Sequence, residues 1–335
     1  MGLYFDLRER IRSNPLLSKT LYLAQGIYRS NFGRLVSDVR RNRKAGENAE
    51  GVALCLRFRD EARYLAEWLE YHDAAGIDHF YLYNNFSSDD FMAVVQAWID
   101  RGRVTLVDWP LVPASPAAEE DCIRRALGRF AWVGFIDADE FLVIRDGSSM
   151  GEFLEPRRRF PGVCLHWRYY GSSGHAARPA MPVIRAYQHR AAAVNRHVKT
   201  FVQPARAAQC RNSHSWFYTP LGTAADEHGK PVYGSFDYQP TADLAWINHY
   251  YCKSEEDYLE KAARHSTLDN VGIKFPSRRS EKLSGELTKN NEVADSCAVD
   301  YYLARCRALG RAPKLLDGVK AAVSADPALS AKPAG

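Results

Sequence analysis

The segment Trp132–Phe141 reads WVGFIDADEF: a mostly apolar run delivers two aspartates, Asp137 and Asp139, separated by one alanine. In extended backbone, residues i and i+2 share a face, so this spacing predicts two convergent carboxylates at the end of a buried strand. Like charges that close repel unless a cation lies between them. The pair therefore reads as a site for a hard divalent ion, Mg²⁺ or Mn²⁺, which commonly keeps coordination positions for phosphate oxygens. The plainer alternative is a strand end whose carboxylates cap the next turn.

Elements must carry those carboxylates to a ligand-accessible edge. Val52–Arg57 predicts a first strand. Glu61–Ala75 predicts a helix with Leu65, Trp68, Leu69 and His72 on one face, stopped by Gly76. His79–Tyr83, Val104–Asp108 and Trp132–Ile136 predict strands two to four, with helices at Phe91–Arg101 and Glu119–Phe130 between them. Such alternation predicts an α/β fold with a mostly parallel sheet flanked by helices, binding ligands at the strand C-termini. The polar turns after strands one, two and four fall on that edge. Beyond Phe141, short aromatic-rich segments (CLHWRYYGSSGH, MPVIRAY, HVKTFVQP and WINHYY) predict a smaller mixed sheet. Helices are expected at Ser254–Ser266 and Asp300–Leu309. No internal repeat is visible.

The chain has 335 residues, 46% hydrophobic and 25% charged, which describes an ordinary globular protein. No stretch approaches the roughly 18 apolar residues of a membrane span. The charged opening MGLYFDLRERIRS lacks the apolar core of an export signal. Seven scattered cysteines without a C-x-x-C suit free thiols in a reducing compartment, so a cytoplasmic location is expected. The net charge of +5 is uneven. Residues 1–44 hold ten Lys/Arg against three acids, with apolar residues at helical intervals. That predicts a basic amphipathic arm able to touch the inner face of an anionic membrane, or else one packing on the main domain. The expected organisation is an arm at 1–48, a main domain at 49–270 with halves 49–145 and 146–270, a helical extension at 271–322 and a disordered tail at 323–335. Residues 156–225 contain no Asp or Glu but ten Arg and one Lys, a field that draws anions. No nucleic-acid module accompanies it, so a phosphorylated small molecule or lipid is the expected partner.

In order, CLRFRDEARYLAEWLEYH (55–72), GIDHFYLYNNFSSDD (76–90), WVGFIDADEF, WRYYGSSGH, HVKTFVQP and INHYYCKSEEDYLEK (247–261) together resemble glycosyltransferase family 92 and related bacterial family-2-like glycosyltransferases. The resemblance spans roughly residues 51–270 and implies a GT-A fold. A mostly parallel nucleotide-binding sheet would be joined to an acceptor-side half. It implies metal-dependent transfer of a sugar from a nucleotide diphosphate sugar, a UDP-sugar above all, to a glycan or lipid-linked acceptor in cell-surface polysaccharide synthesis. Arg57, Arg59 and Glu61 would lie over the nucleotide. Asn84 stands where the family has an acid, bringing a hydrogen-bond acceptor without charge, and Ser87 follows it. Asp137 and Asp139 match the metal-binding acids, His249 the late histidine that meets the metal or diphosphate, and Lys253 follows as a phosphate partner.

An inverting transfer needs a base for the acceptor hydroxyl. The acid-free window narrows the candidates to Asp226, Glu227, Asp237, Asp243 or a histidine such as His214. His175, after the Gly-rich turn GSSG, and Asp237 are the expected choices. A nucleotidyltransferase could share the sheet and paired acids but would normally carry a Gly-rich loop after strand one, and RFRDEARY has no glycine. The altered Asn84 would suit a catalytically silent glycan- or lipid-binding module, which the two intact aspartates oppose.

Overall fold

The computed structural model describes residues 44–219, 222–263 and 290–316, with positions 14, 17, 19–21 and 42. Most of the expected arm, the end of the helix expected at Ser254–Ser266, most of the 271–322 extension and the tail lie outside the described residues.

β1 (Val52–Phe58), α1 (Ala62–Ala74), β2 (His79–Asn84), α2 (Phe91–Asp100), β3 (Val104–Asp108), α3 (Ala117–Ala126) and β4 (Trp132–Phe135) alternate as the sequence predicts. There follow β5 (Glu140–Ile144), α4 (Met150–Leu154), β6 (Gly162–Tyr169), α5 (Val183–Ala186), β7 (His189–Arg190), β8 (Asn195–Val202), β9 (Ala207–Asn212) and β10 (Ser215–Tyr218). The described chain closes with β11 (Ala224–Ala225), β12 (Pro231–Val232), β13 (Ala245–His249), α6 (Glu255–Ala263), β14 (Val293–Ala294) and α7 (Cys297–Ala308). Among the described residues, no helix is long and apolar enough to cross a membrane.

β1 pairs in parallel with both β2 and β4, and β2 with β3, so all four end at one edge. The sheet continues from β4 through antiparallel β8 to β6, with β13 bridging β6 and β5. The expected smaller mixed sheet is thus corrected: these strands extend one ten-stranded sheet. The physical reason is the edge of β4, whose backbone groups would otherwise lack partners; β8 supplies them. Short ribbons, β9 with β10 and β7 with β14, stand apart.

Alternation sorts the sheet's side chains into two cores. Val52, Leu54, Leu56 and Phe58 of β1 join one face, with Phe80 and Leu82. Ala53 and Cys55 join the other, with Tyr81 and Tyr83. α1 buries the predicted face against the first core, Leu65, Trp68, Leu69 and His72 all being fully buried. It ends where Gly76 adopts φ +86 and its N–H bonds to the Asp73 carbonyl. A side chain there would be strained and would also crowd Ser149.

Two local expectations change. MPVIRAY forms a short helix, α5, instead of a strand. The Val183 and Ile184 N–H groups bond to the Glu67 carboxylate at 2.7 and 3.0 Å, which rewards a first helical turn against α1 over a sheet ladder. DADEF does not continue β4 in extended form. Residues 138–139 turn, closed by the Glu140 N–H on the Asp137 carbonyl, and a new strand, β5, starts at Glu140. The premise that Asp137 and Asp139 share a strand face is therefore corrected.

Candidate active site

The turn at 137–139 lies where β4 ends, beside the end of β1. Trp68, buried on α1, supports it from below by donating Nε1–H to the Asp137 carbonyl at 3.0 Å. At this turn each of the two carboxylates meets a lysine. Lys199 Nζ lies 2.7 Å from Asp137 Oδ2 and 3.5 Å from Glu140 Oε2. Lys261 Nζ lies 2.5 Å from Asp139 Oδ2.

Strand register brings these partners in. β8 places Phe201 opposite Gly134, so Lys199 arrives level with the end of β4. β13 places His249 opposite Glu140 on one side and Tyr169 on the other. His249 is buried, its Nε2 3.5 Å from Asp139 Oδ1 and its Nδ1 4.0 Å from Glu140 Oε1. Its ring packs at 4.4 Å on Trp167 and 4.9 Å on Tyr169. Burial lowers the His249 pKa, favouring a neutral ring with a lone pair. Burial alone would raise Asp139, but Lys261 and His249 outweigh it and hold the carboxyl well below its usual range. Burial likewise opposes ionisation of Asp137, and Lys199 prevails. Glu140, fully buried, is pushed well above the ordinary range by burial.

Asp139 Oδ1 and His249 Nε2 form a mixed oxygen and nitrogen donor pair, chemistry that suits Mn²⁺ better than Mg²⁺. The buried Glu140 Oε1 and His249 Nδ1 have no hydrogen-bond partner and lie 4.0 Å apart. Asp137, turned to Lys199, does not complete a compact triplet with them. Among the described residues the triplet close enough to share one ion is Glu227, His228 and Asp243. There the Glu227 oxygens are already occupied by the N–H groups of Asp243, Leu244 and Ala245, which makes it a loop clamp.

The loop after β1 and the loop after β2 are locked together. Asp60 N–H bonds to Ser87 Oγ at 3.0 Å, Ala62 N–H to Asp89 Oδ2 at 2.7 Å, and Ser88 N–H to Asp60 Oδ1 at 2.6 Å. Asn84 ends β2; its Oδ1 accepts from Ser87 N–H and its Nδ2 donates to Asp108, each at 3.0 Å. Arg59 lies 3.8 Å from Asp60 and is one-third exposed. A cavity of about 260 Å³ adjoins this lock, lined by Asp60, Tyr64, Asp89, Arg178 and Glu260 among others. Arg57 is buried, its Nε 2.9 Å from Glu119 on α3, and lines a narrow cleft with Asp137 and Lys199. Lys253, at φ +52, is buried with its ammonium 4.0 Å over the Tyr64 ring.

The two candidate bases stand elsewhere. His175 Nε2 lies 3.0 Å from the Ala186 carbonyl and its ring packs edge-on to Tyr187. Asp237 Oδ2 lies 3.4 Å from Nε2 of the fully buried His166. Burial favours the neutral Asp237 carboxyl, but His166 and the Gln239 N–H outweigh it and lower the pKa. That suits a hydrogen-bond acceptor more than a strong base at neutral pH.

Sequence reasoning missed Lys199, Glu140 and Lys261. For Lys199 a signal existed: a lone lysine inside the apolar strand HVKTFV must find a counter-charge if buried. Lys261 offered none, since only tertiary packing aims α6 at the turn.

A sequence model of glycosyltransferase family 92 matches residues 51–233. A glycosyltransferase family 92 protein of Ricinus communis is 32% identical over 164 residues, covering 48% of this chain and 30% of that protein. One of Oryza sativa subsp. japonica is 33% identical over 172 residues, 49% of this chain and 29% of that protein. A longer match to the Ricinus protein reaches 28% identity over 276 residues, 76% of this chain and 46% of that one. The chain therefore spans less than half the length of these relatives. The family match covers more than half of this chain and takes in both locked loops, the aspartate turn and Lys199, so the chain belongs to glycosyltransferase family 92.

Proposed function

We propose that this protein is a metal-dependent glycosyltransferase of GT-A type, moving a sugar from a nucleotide diphosphate sugar, a UDP-sugar as the expected donor, to a glycan or lipid-linked acceptor with inversion. The observation that carries the reading is the meeting of Asp139 and His249 beside the C-terminal ends of four parallel strands, in a chain of this family. Ligands of such sheets bind at that edge.

Asp139 and His249 would hold a Mn²⁺ or Mg²⁺ ion, with Asp137 joining once released from Lys199. When bound, the ion supplies Lewis-acid stabilisation for the departing phosphate. The locked loops with Arg59, Glu61, Asn84 and Ser87 would face the base and ribose, and Arg57 the near phosphate. Lys253, which helps to depress the Asp139 pKa, would be the phosphate partner. Asp237 and His175 remain the candidate acceptor-side bases, and the partly exposed Tyr169 ring would be available to a sugar.

Calorimetric titration with UDP and GDP, with and without Mn²⁺, tests this. Metal-dependent binding that Asp139→Asn abolishes, together with loss of donor turnover and an unchanged circular dichroism spectrum, is expected. Nucleotide binding indifferent to Mn²⁺ and to Asp139→Asn would refute the metal assignment, and no binding at all would favour a silent module.

A further inference from the structure

The two lysines on the aspartate turn differ in what they can do. Lys199 is 1% exposed and lies between two carboxylates, Asp137 and the fully buried Glu140. Withdrawing it would leave Asp137 without its close cation and break a contact made by an almost wholly buried ammonium, so it acts as a fixed counter-ion. Lys261 pairs with Asp139, and its side chain is 37% exposed. Its helix, α6, is anchored independently. Arg178 holds Asp257 at 2.5 Å and Glu256 at 3.4 Å and also pairs with Glu260, while Tyr64 donates to Asp257. With the backbone pinned through Asp257, one turn earlier, and through the adjacent Glu260, the four-carbon stem of Lys261 is the part that can redirect.

Asp139 is shared. Its Oδ2 faces Lys261 while its Oδ1 faces His249. A carboxylate that takes up a divalent cation has less negative charge to offer an ammonium, so occupation of the Asp139 and His249 pair loosens Lys261 beside the newly bound ligand. The charges call for it. A nucleotide diphosphate sugar carries two negative charges on its diphosphate. In transfer, the bond from the anomeric carbon to the phosphate oxygen breaks and its electron pair stays on that oxygen. The acceptor oxygen forms the new bond and its proton passes to a base. The leaving diphosphate thus gains a third negative charge, beyond what one divalent ion offsets.

Resting on the reading of the site given above, we infer that Lys261 is a diphosphate-binding residue that exchanges its Asp139 salt bridge for the phosphate oxygens of the nucleotide. Lys261 also packs its ammonium 4.6 Å from the Tyr251 ring, a contact it can keep while reorienting.

The test uses full-length protein with Lys261→Met, Lys261→Gln and Lys261→Arg. UDP, GDP and inorganic pyrophosphate are titrated calorimetrically in the presence of Mn²⁺, and Mn²⁺ alone is titrated by electron paramagnetic resonance. Losing a charge-assisted phosphate contact should weaken diphosphate binding by about tenfold or more in the Met and Gln variants, with Arg retaining most of it. Removing a competitor for Asp139 should tighten Mn²⁺ binding in the same two variants. Wild-type binding that the Met and Gln variants leave unchanged would remove this inference alone. Mn²⁺ binding that weakens together with diphosphate binding would also remove it, because the lysine would then merely hold the turn together. Wild-type protein that binds none of the three probes would remove the reading of the site and this inference with it.

Discussion

Lys199 illustrates how one residue can set a site without reacting. Its ammonium, almost wholly buried, offsets Asp137 and lies near the buried Glu140. Removing one member of a buried ion pair leaves the other uncompensated, at about 3–5 kcal/mol. Asp137 is half-exposed and water can partly resolvate it, so Lys199→Met is expected to fall at the lower end of that range in urea denaturation. The double variant with Asp137→Asn should recover part of the loss. A double variant no more stable than Lys199→Met would show that the pair itself is not the source. Asp137 and Asp139 were legible as candidate chemistry because their type stands out at the end of an apolar strand, whereas His249 entered only through the family resemblance. Their partners were missed: the lone lysine inside HVKTFV hinted that Lys199 needs a counter-charge, but not which carboxylate supplies it, and Lys261 gave no hint.

Among the elements, α1 ties the fold to the site. Trp68 supports the aspartate turn, and His72, one turn on, donates Nδ1–H to the Trp68 carbonyl at 2.8 Å and stacks 5.7 Å from Phe141. Burial lowers the His72 pKa to about 3. The unfolded chain takes up a proton near pH 6.5, whereas the folded one does not until about 3, so stability falls as pH drops through that window. The limiting slope is about 1.4 kcal/mol per pH unit. Urea midpoints measured from pH 8 to 4 should decline below 6.5. His72→Leu, less stable at pH 8, should decline more gently, and parallel slopes would exclude His72 as a source. The alternating strands and helices to β4 were readable from periodicity, with ends displaced by a few residues. The turn at 137–139 and α5 were not, because each depends on a distant partner: β13 pairing with β5 in one case, the Glu67 carboxylate in the other.

At the scale of the whole molecule, charge is segregated. The positive excess of residues 1–44 stands against a slightly negative remainder. Each Lys/Arg near an anionic bilayer contributes about 1 kcal/mol. Deleting residues 1–44 is therefore expected to cut sedimentation with anionic-lipid vesicles steeply while leaving nucleotide binding as it was; equal sedimentation of both proteins would end that idea. The sheet is continuous from β12 to β3, so the expected nucleotide and acceptor halves share one ladder, and a change at β8 reaches both.

The features legible from residue order are local and periodic: the α/β alternation, the apolar strand that ends in paired aspartates, the polar loops at one edge and the family's ordered motifs. These need only chain-neighbour chemistry, alternation in strands and 3.6-residue repeats in helices. The turn between the aspartates, the different lysine that each takes and the approach of His249 to Asp139 come from packing between distant parts of the chain. Those contacts join residues 62 and 122 positions apart in the chain, and strand register and helix packing, which no local pattern encodes, set which side chains face one another.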